Sequence, residues 1–342
     1  MAKTSIEWTH RPGSVGATWN PTVGCTEISP GCKHCYARTM HARLTGMGAA
    51  RLSRVYADPK KRTAAERSAS KYRDQFHVVK EWPDALDMPL RARKPTTYFV
   101  NSMSDLFHKD ISNEYIAAVF GVMAACPQHT FQILTKRAER LQEWFAWAGG
   151  SNRCLRSAQQ AGARFGAWEN PPWPLPNVWL GVSVESQKYA DERVPHLLSV
   201  PAAVRFVSYE PALGPVSFFA FLSTPLRNEC LAALQSLSMP GLDWIIVGGE
   251  SGPGARPFNL AWARSVVAEG KAAGVSVFVK QLGACAQDAP NGIAGASLFV
   301  PDVATDLVSV RLRARKGGDP TQWPADLRVR EHARAHPRST SV

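Results

Sequence analysis

"NVWLGVSVES", residues 177–186, is apolar on both faces for most of its length and then ends abruptly in Ser183, Glu185 and Ser186. A strand that is apolar on both faces must be covered on both, which is the habit of parallel sheets flanked by helices. Similar runs recur along the chain: "TTYFVNS" (96–102), "TFQILTK" (130–136), "VRFVSYEP" (204–211), "DWIIVGGES" (243–251) and "VSVFVKQ" (275–281). An earlier strand is expected in "TSIEW" or "ATWNPTV". Segments of helical periodicity lie between them, such as "NEYIAAVFGVMAA" and "LAWARSVVAEGKAAG". The pattern predicts an α/β fold, a partial β/α barrel of about six to seven parallel strands. A doubly wound open sheet is the alternative.

The C-terminal end of each apolar run is as informative as the run. The polar residues there are Asn101, Ser102 and Asp105; Thr135 and Lys136; Ser183 and Glu185; Ser208 and Glu210; Gly248, Gly249 and Glu250; Lys280 and Gln281. In a β/α barrel the C-terminal strand ends converge on one face, where active sites are built. Six successive ends of this kind predict a shared polar site rather than a set of helix caps. His108, in "DLFHKD", is a further polar candidate.

The remaining segments set the boundaries. Residues 1–310 are expected to form the barrel domain. Residues 38–94 form a long basic insertion, and residues 149–176, rich in Gly, Pro and Trp, read as a loop or lid. Residues 311–342 form a basic C-terminal extension, of which "EHARAHPRSTSV" reads as a disordered tail. The net charge is +12, and residues 38–94 carry +8 of it (fourteen Lys/Arg, six Asp/Glu). Residues 311–342 carry a further +5, so the rest of the chain is nearly neutral. Charge segregated in this way suits a polyanionic partner such as nucleic acid, or a solvated surface. The first ten residues hold no apolar run, and no apolar stretch of about 18 residues occurs. The expectation is a cytoplasmic protein with no membrane partner.

Three of the seven cysteines, Cys25, Cys32 and Cys35, fall within "NPTVGCTEISPGCKHCYA" (20–37), spaced C-x6-C-x2-C. In a reducing compartment such clustering points to metal ligands or catalytic groups rather than disulfides. Gly24, Gly31 and Pro30 shape a tight loop that can aim several thiolates at one centre. Three thiolates would leave one iron of a cubane cluster with an open coordination position. A structural zinc site completed by His34 or His41 is the rival, and it would make the chain a non-catalytic, zinc-stapled nucleic-acid binder.

"CKHCY" (32–36) resembles the radical S-adenosylmethionine superfamily, although the first cysteine gap is six residues where three is usual. Together with "VNSMSDLFH", "ILTKRAER", "WLGVSVESQ", "SYEPALGPV", "IIVGGESGPGARP", "FVKQLG" and "WPADLRVRE", it resembles a phage-associated, three-cysteine family of that type. The resemblance implies that Cys25, Cys32 and Cys35 ligate a [4Fe–4S] cluster and that S-adenosylmethionine occupies the fourth iron. It implies cofactor-binding roles for Asn101, Ser102, Ser183, Glu185, Glu210, Gly248 and Gly249. Asp105, His108, Glu250 and Lys280 are the catalytic candidates. The superfamily's Gly-Gly-Glu string normally lies after the second strand; here "GGE" stands at 248–250, so Glu250 is assigned to substrate. An external electron donor is implied. The expected substrate is a nucleobase, with DNA favoured over RNA and an isomerising rearrangement on modified thymidine in phage DNA as the specific reaction. In that setting the protein would work in the host cytoplasm. Trp168 and Trp173 are candidate stacking platforms for an extruded base. A DNA-lesion lyase or an RNA-modifying enzyme would share the same electrostatics.

Overall fold

The computed structural model describes residues 4–55, 71–164, 170–222, 240–289 and 307–333. The strands are β1 (Val15–Trp19), β2 (Thr22–Val23), β3 (Lys80–Glu81), β4 (Thr96–Val100), β5 (Thr130–Thr135), β6 (Val178–Val184), β7 (Val204–Tyr209), β8 (Trp244–Gly248), β9 (Phe258–Asn259), β10 (Ser276–Gln281), β11 (Ala286–Asp288) and β12 (Val308–Ser309). The α-helices among the described residues are α1 (Tyr36–Val55), α2 (Asn113–Ala124), α3 (Ala138–Ala148), α4 (Ser151–Gln160), α5 (Gln187–Ser199) and α6 (Leu260–Ala273).

The main sheet has seven strands in the order β1-β4-β5-β6-β7-β8-β10. Each strand lies beside the next main-sheet strand in the chain, the winding of a partial β/α barrel. A doubly wound sheet would reverse direction partway through. Every residue of β4, β6, β7 and β8 is buried, as two-sided coverage requires. None of the described helices is long and apolar enough to cross a membrane.

The chain divides into two compact units, Met1–Val178 and Trp179–Val342. In the first, β1, β4 and β5 pair in parallel. Helix α2 starts because the Ser112 hydroxyl accepts the Tyr115 N–H, 3.2 Å away, satisfying one of the orphan donors of the first turn. Segment 149–176, expected as a loop or lid, contains the ten-residue helix α4. Its buried Cys154 and Ala158 lie against Gly121 of α2. Trp173, a candidate stacking platform, is half-buried beside Phe120 and Phe145. Trp168 lies outside the described residues.

In the second unit β6, β7, β8 and β10 pair in parallel. Helix α6 is capped at its start by Asn259, whose side chain accepts the Ala261 N–H at 2.9 Å. It ends at Gly274, which adopts φ +67°, the left-handed turn that glycine takes without steric cost. Residues 311–333 do not trail away. The Val279 N–H donates to the Val329 carbonyl, Trp323 and Leu327 are buried, and the Arg330 guanidinium lies over the Phe278 and Trp323 rings. The tail beyond 333 lies outside the described residues.

The contact between α2 and α4 depends on one residue. A Cβ on Gly121 would collide with the Cys154 carbonyl, which is backbone and cannot swing aside. Gly121→Ala should cost at least about 1–3 kcal/mol in urea denaturation. Gly46→Ala, on the exposed side of α1 with nothing within 4 Å, should be neutral or stabilising by about 0.5–1 kcal/mol. Equal effects of the two substitutions would contradict this packing.

Candidate functional site

In the first unit the cysteine loop leaves β2 through Gly24, at φ +84°. A side chain there would strike the carbonyls of Val78 and Phe76. That close crossing lets the Cys25 N–H donate to the Phe76 carbonyl at 2.9 Å. A 3-10 turn, Pro30–Cys32, then carries the second cysteine, and the Cys35 N–H donates to the Cys32 carbonyl just before α1 begins. All three thiols are free and partly buried. Burial pushes the Cys25 thiol up to about 12; the Asp105 carboxylate adds to the rise and the Arg137 guanidinium opposes it.

Asp105 organises the groups around that loop. Its Oδ1 accepts from the Thr135 hydroxyl at 2.7 Å and from the Phe107 N–H at 3.0 Å. Its Oδ2 accepts from the Lys136 N–H at 3.2 Å and from Arg137 at 3.0 Å. With four donors on its two oxygens, Asp105 holds its neighbours in place. Arg137 was not among the sequence candidates, though it stands in the "ILTKRAER" string. From Asp105 it reaches the cysteine loop, donating to the Cys25 sulfur at 3.5 Å and to both the carbonyl and the hydroxyl oxygen of Thr26 at 3.0 Å.

His108 is fully buried. Its Nδ1 accepts the Asp110 N–H at 3.2 Å, so the proton sits on Nε2, which donates to the Thr26 hydroxyl at 2.8 Å. Burial, and then the nearby Arg137 charge, hold the imidazole below its ordinary pKa. Its observable role is to clamp Thr26 beside Cys25.

Asn101 ends β4 at φ +65°, a left-handed conformation uncommon outside glycine. Its amide orientation comes from a chain of donors. The Ser104 hydroxyl donates to the Thr22 carbonyl, so its oxygen accepts from the Thr22 hydroxyl, which in turn accepts the Asn101 Nδ2–H at 2.6 Å. The other end, Oδ1, is buried with no hydrogen-bond partner. It is one of nine buried side-chain polar atoms without a partner among the described residues, and the one at the end of β4 beside the cysteine loop. Ser102 is occupied: its hydroxyl donates to the Asn20 side chain and its carbonyl accepts the Tyr36 hydroxyl at 2.8 Å.

The second unit carries the other candidates, arranged as three ion pairs. Glu185 and Arg193 lie 3.1 Å apart and almost wholly buried, and Arg193 also donates to the Ser183 carbonyl. Glu210 and Lys280 lie 2.7 Å apart. Lys280 sits where β10 slips register against β8, between Val279 and Gln281, and such an irregularity re-aims a side chain. Glu250 receives a fork from Arg256, Nη2 to Oε1 at 2.6 Å and Nε to Oε2 at 3.0 Å. The Arg256 backbone N–H adds a third bond to Oε2. Gly248 and Gly249 let the exits of β8 and β10 touch. A Cβ on Gly249 would lie 2.7 Å from the Leu282 carbonyl, and Gly248 lies close to the Glu210 carboxylate and Gln281.

The acidic and basic candidates are thus bonded to protein partners in both units. Sequence reasoning found the residues and missed three of their partners, Arg137, Arg193 and Arg256. Among the described residues no three His, Cys, Asp or Glu side chains converge as a single-ion site. The donor chemistry of the loop still fits an iron–sulfur cluster: three thiols, none in a disulfide, with an arginine N–H already aimed at one sulfur. The imidazole of His41, one of the two zinc candidates, is buried edge-on against Tyr72 and Phe76, with ring centroids 5.4 and 5.5 Å away.

No curated protein and no solved structure matches the chain at a significant level. One family model does, over residues 3–334, and the chain therefore belongs to the family described as protein of unknown function, DUF5131.

Proposed function

We propose that this protein is a radical S-adenosylmethionine enzyme acting on a nucleobase. The observation that carries the reading is the cysteine loop itself: three free thiols within eleven residues, buttressed by Arg137, beside a strand end with an unclaimed buried acceptor on Asn101. Cys25, Cys32 and Cys35 would hold a [4Fe–4S] cluster. When bound, the cluster and S-adenosylmethionine together supply a 5′-deoxyadenosyl radical that removes a hydrogen atom from substrate, chemistry the side chains cannot perform alone.

The chain's own part is to bind, orient and shield. Asn101 Oδ1 offers one acceptor to an N–H donor such as the methionine ammonium. Asp105 holds Arg137 and the β5 exit in place. His108 keeps Thr26 from turning the loop. In the second unit Glu210 with Lys280 and Glu250 with Arg256 present paired charges that suit recognition better than proton transfer.

Charge supports a nucleic-acid substrate. The basic surplus lies in residues 38–94 and 311–342. Within the described part of the first segment, Lys80 pairs with Asp74 and Arg91 with Asp87 at the surface. Pairs of that kind contribute about 0–1 kcal/mol and leave the cations open to competition from phosphates. A thymine-derived base in phage DNA, carrying a side chain whose C–H bonds acid–base catalysis cannot reach, remains the specific substrate we favour. The proposed reaction is an isomerising rearrangement of that side chain, with reducing electrons from an external donor.

Anaerobically reconstituted protein given a reductant and S-adenosylmethionine should form 5′-deoxyadenosine and methionine, detected by liquid chromatography. Cys25→Ala, Cys32→Ala and Cys35→Ala should each abolish this, and Cys126→Ala, a buried core change, should not. Asn101→Ala should keep its iron yet bind S-adenosylmethionine roughly 2- to 13-fold more weakly, the worth of one net hydrogen bond of about 0.5–1.5 kcal/mol. Normal product formation by the cysteine variants would end the proposal.

Binding to duplex DNA should weaken steeply between low and moderate salt, with a slope near −0.9 per phosphate neutralised. Mass spectrometry of nucleosides from phage DNA, with and without an active gene, should show a changed modified-thymidine species. Salt-independent binding and unchanged nucleosides would remove DNA and point to a small molecule or peptide.

A further inference from the structure

We propose that Arg137 is a positioning residue that sets the electronic state of the group held by Cys25, an inference that rests on the proposed cluster. The guanidinium is one-tenth exposed and is held at two corners by other groups before it meets the sulfur. Asp105 Oδ2 takes one N–H from Nη1 at 3.0 Å, and Thr26 takes contacts from Nη2 at its carbonyl and hydroxyl. Nη1 also lies 3.5 Å from the Cys25 sulfur, within reach of a charge-assisted N–H···S bond. Neither neighbour can readily let go. Asp105 is itself fixed by Thr135, Phe107 and Lys136, and Thr26 is fixed by His108.

The arrangement is that of an outer-shell ligand. Hydrogen bonds to cluster sulfurs and nearby net charge set reduction potentials, and outer-shell partners fix the first-shell ligand's orientation. A positive donor on the Cys25 sulfur stabilises the more negative, reduced state and so raises the potential. Lysine carries the charge without the planar fork, so it can address the sulfur or Thr26 but cannot span both as arginine does.

The test uses the full chain, reconstituted anaerobically with iron and sulfide, as wild type, Arg137→Lys and Arg137→Met. Iron per chain is measured, together with the midpoint of the cluster by redox titration monitored through its electron paramagnetic resonance signal. Arg137→Met should hold its cluster less firmly against a chelator, by roughly 10- to 100-fold as for other outer-shell losses. Its midpoint should fall below wild type, and Arg137→Lys should recover part of that shift. Arg137→Lys keeps the buried charge and provides the comparison if Arg137→Met folds poorly. Identical midpoints in an iron-loaded wild type and an iron-loaded lysine or methionine variant would overturn the inference and leave the cluster standing. Failure of wild type to take up iron would overturn both.

Discussion

A buried carboxylate must be paired and hydrogen-bonded or it destabilises the fold, and Asp105 meets that demand with donors from three places. Phe107 comes from its own turn, Thr135 and Lys136 from the exit of β5, and Arg137 from the residue that opens α3. The charge thereby ties the ends of two adjacent strands together. Through Arg137 it also ties them to Thr26 and Cys25. Removing one member would leave the other as an uncompensated buried charge, a loss of about 3–5 kcal/mol in comparable pairs. The cysteine loop is also held by the Cys25 N–H bond to Phe76, the close crossing at Gly24, the bridge between Gly24 and Ser104, and the His108 contact with Thr26.

The same device recurs in the second unit with different residues. Glu250 is held by Arg256, Glu185 by Arg193, and Glu210 by Lys280. Each acid stands at or just after the end of a strand, where the apolar run stops and the backbone turns. Such groups are costly to bury, and a paired arrangement fixes their geometry while cancelling their charge.

Much of this was legible in the sequence, and the parts that were not have identifiable causes. Six of the seven main-sheet strands were visible because two-sided burial writes a continuous apolar run, as in "VWLGVSV" and "VRFVSY"; the first, β1, is less buried and was left between two stretches. The polar ends were visible because they interrupt those runs. The state of each end was not: Asp105 and Arg137 are 32 residues apart, and no local pattern declares a pair at that distance. Helix α4 was hidden by its flanks, since Gly149, Gly150 and the prolines near 171 read as loop while "CLRSA" between them carries an apolar face. Residues 311–333 read as a charged extension because their apolar residues are scattered among basic ones with no helical or strand period, yet Trp323 and Leu327 are buried in the docked segment. The slip in β10 that re-aims Lys280 is a matter of register, to which composition is blind.

The central claim is that three thiolates from one loop hold a four-iron cluster with one iron left for a ligand. Mössbauer spectroscopy of protein reconstituted with ⁵⁷Fe addresses it most directly, recorded with and without S-adenosylmethionine. The account predicts a cubane spectrum in which one iron of the four changes its parameters when S-adenosylmethionine is added, while the three cysteine-ligated irons do not. Stoichiometric zinc in place of iron, or a cluster spectrum that S-adenosylmethionine leaves unaltered, would contradict it.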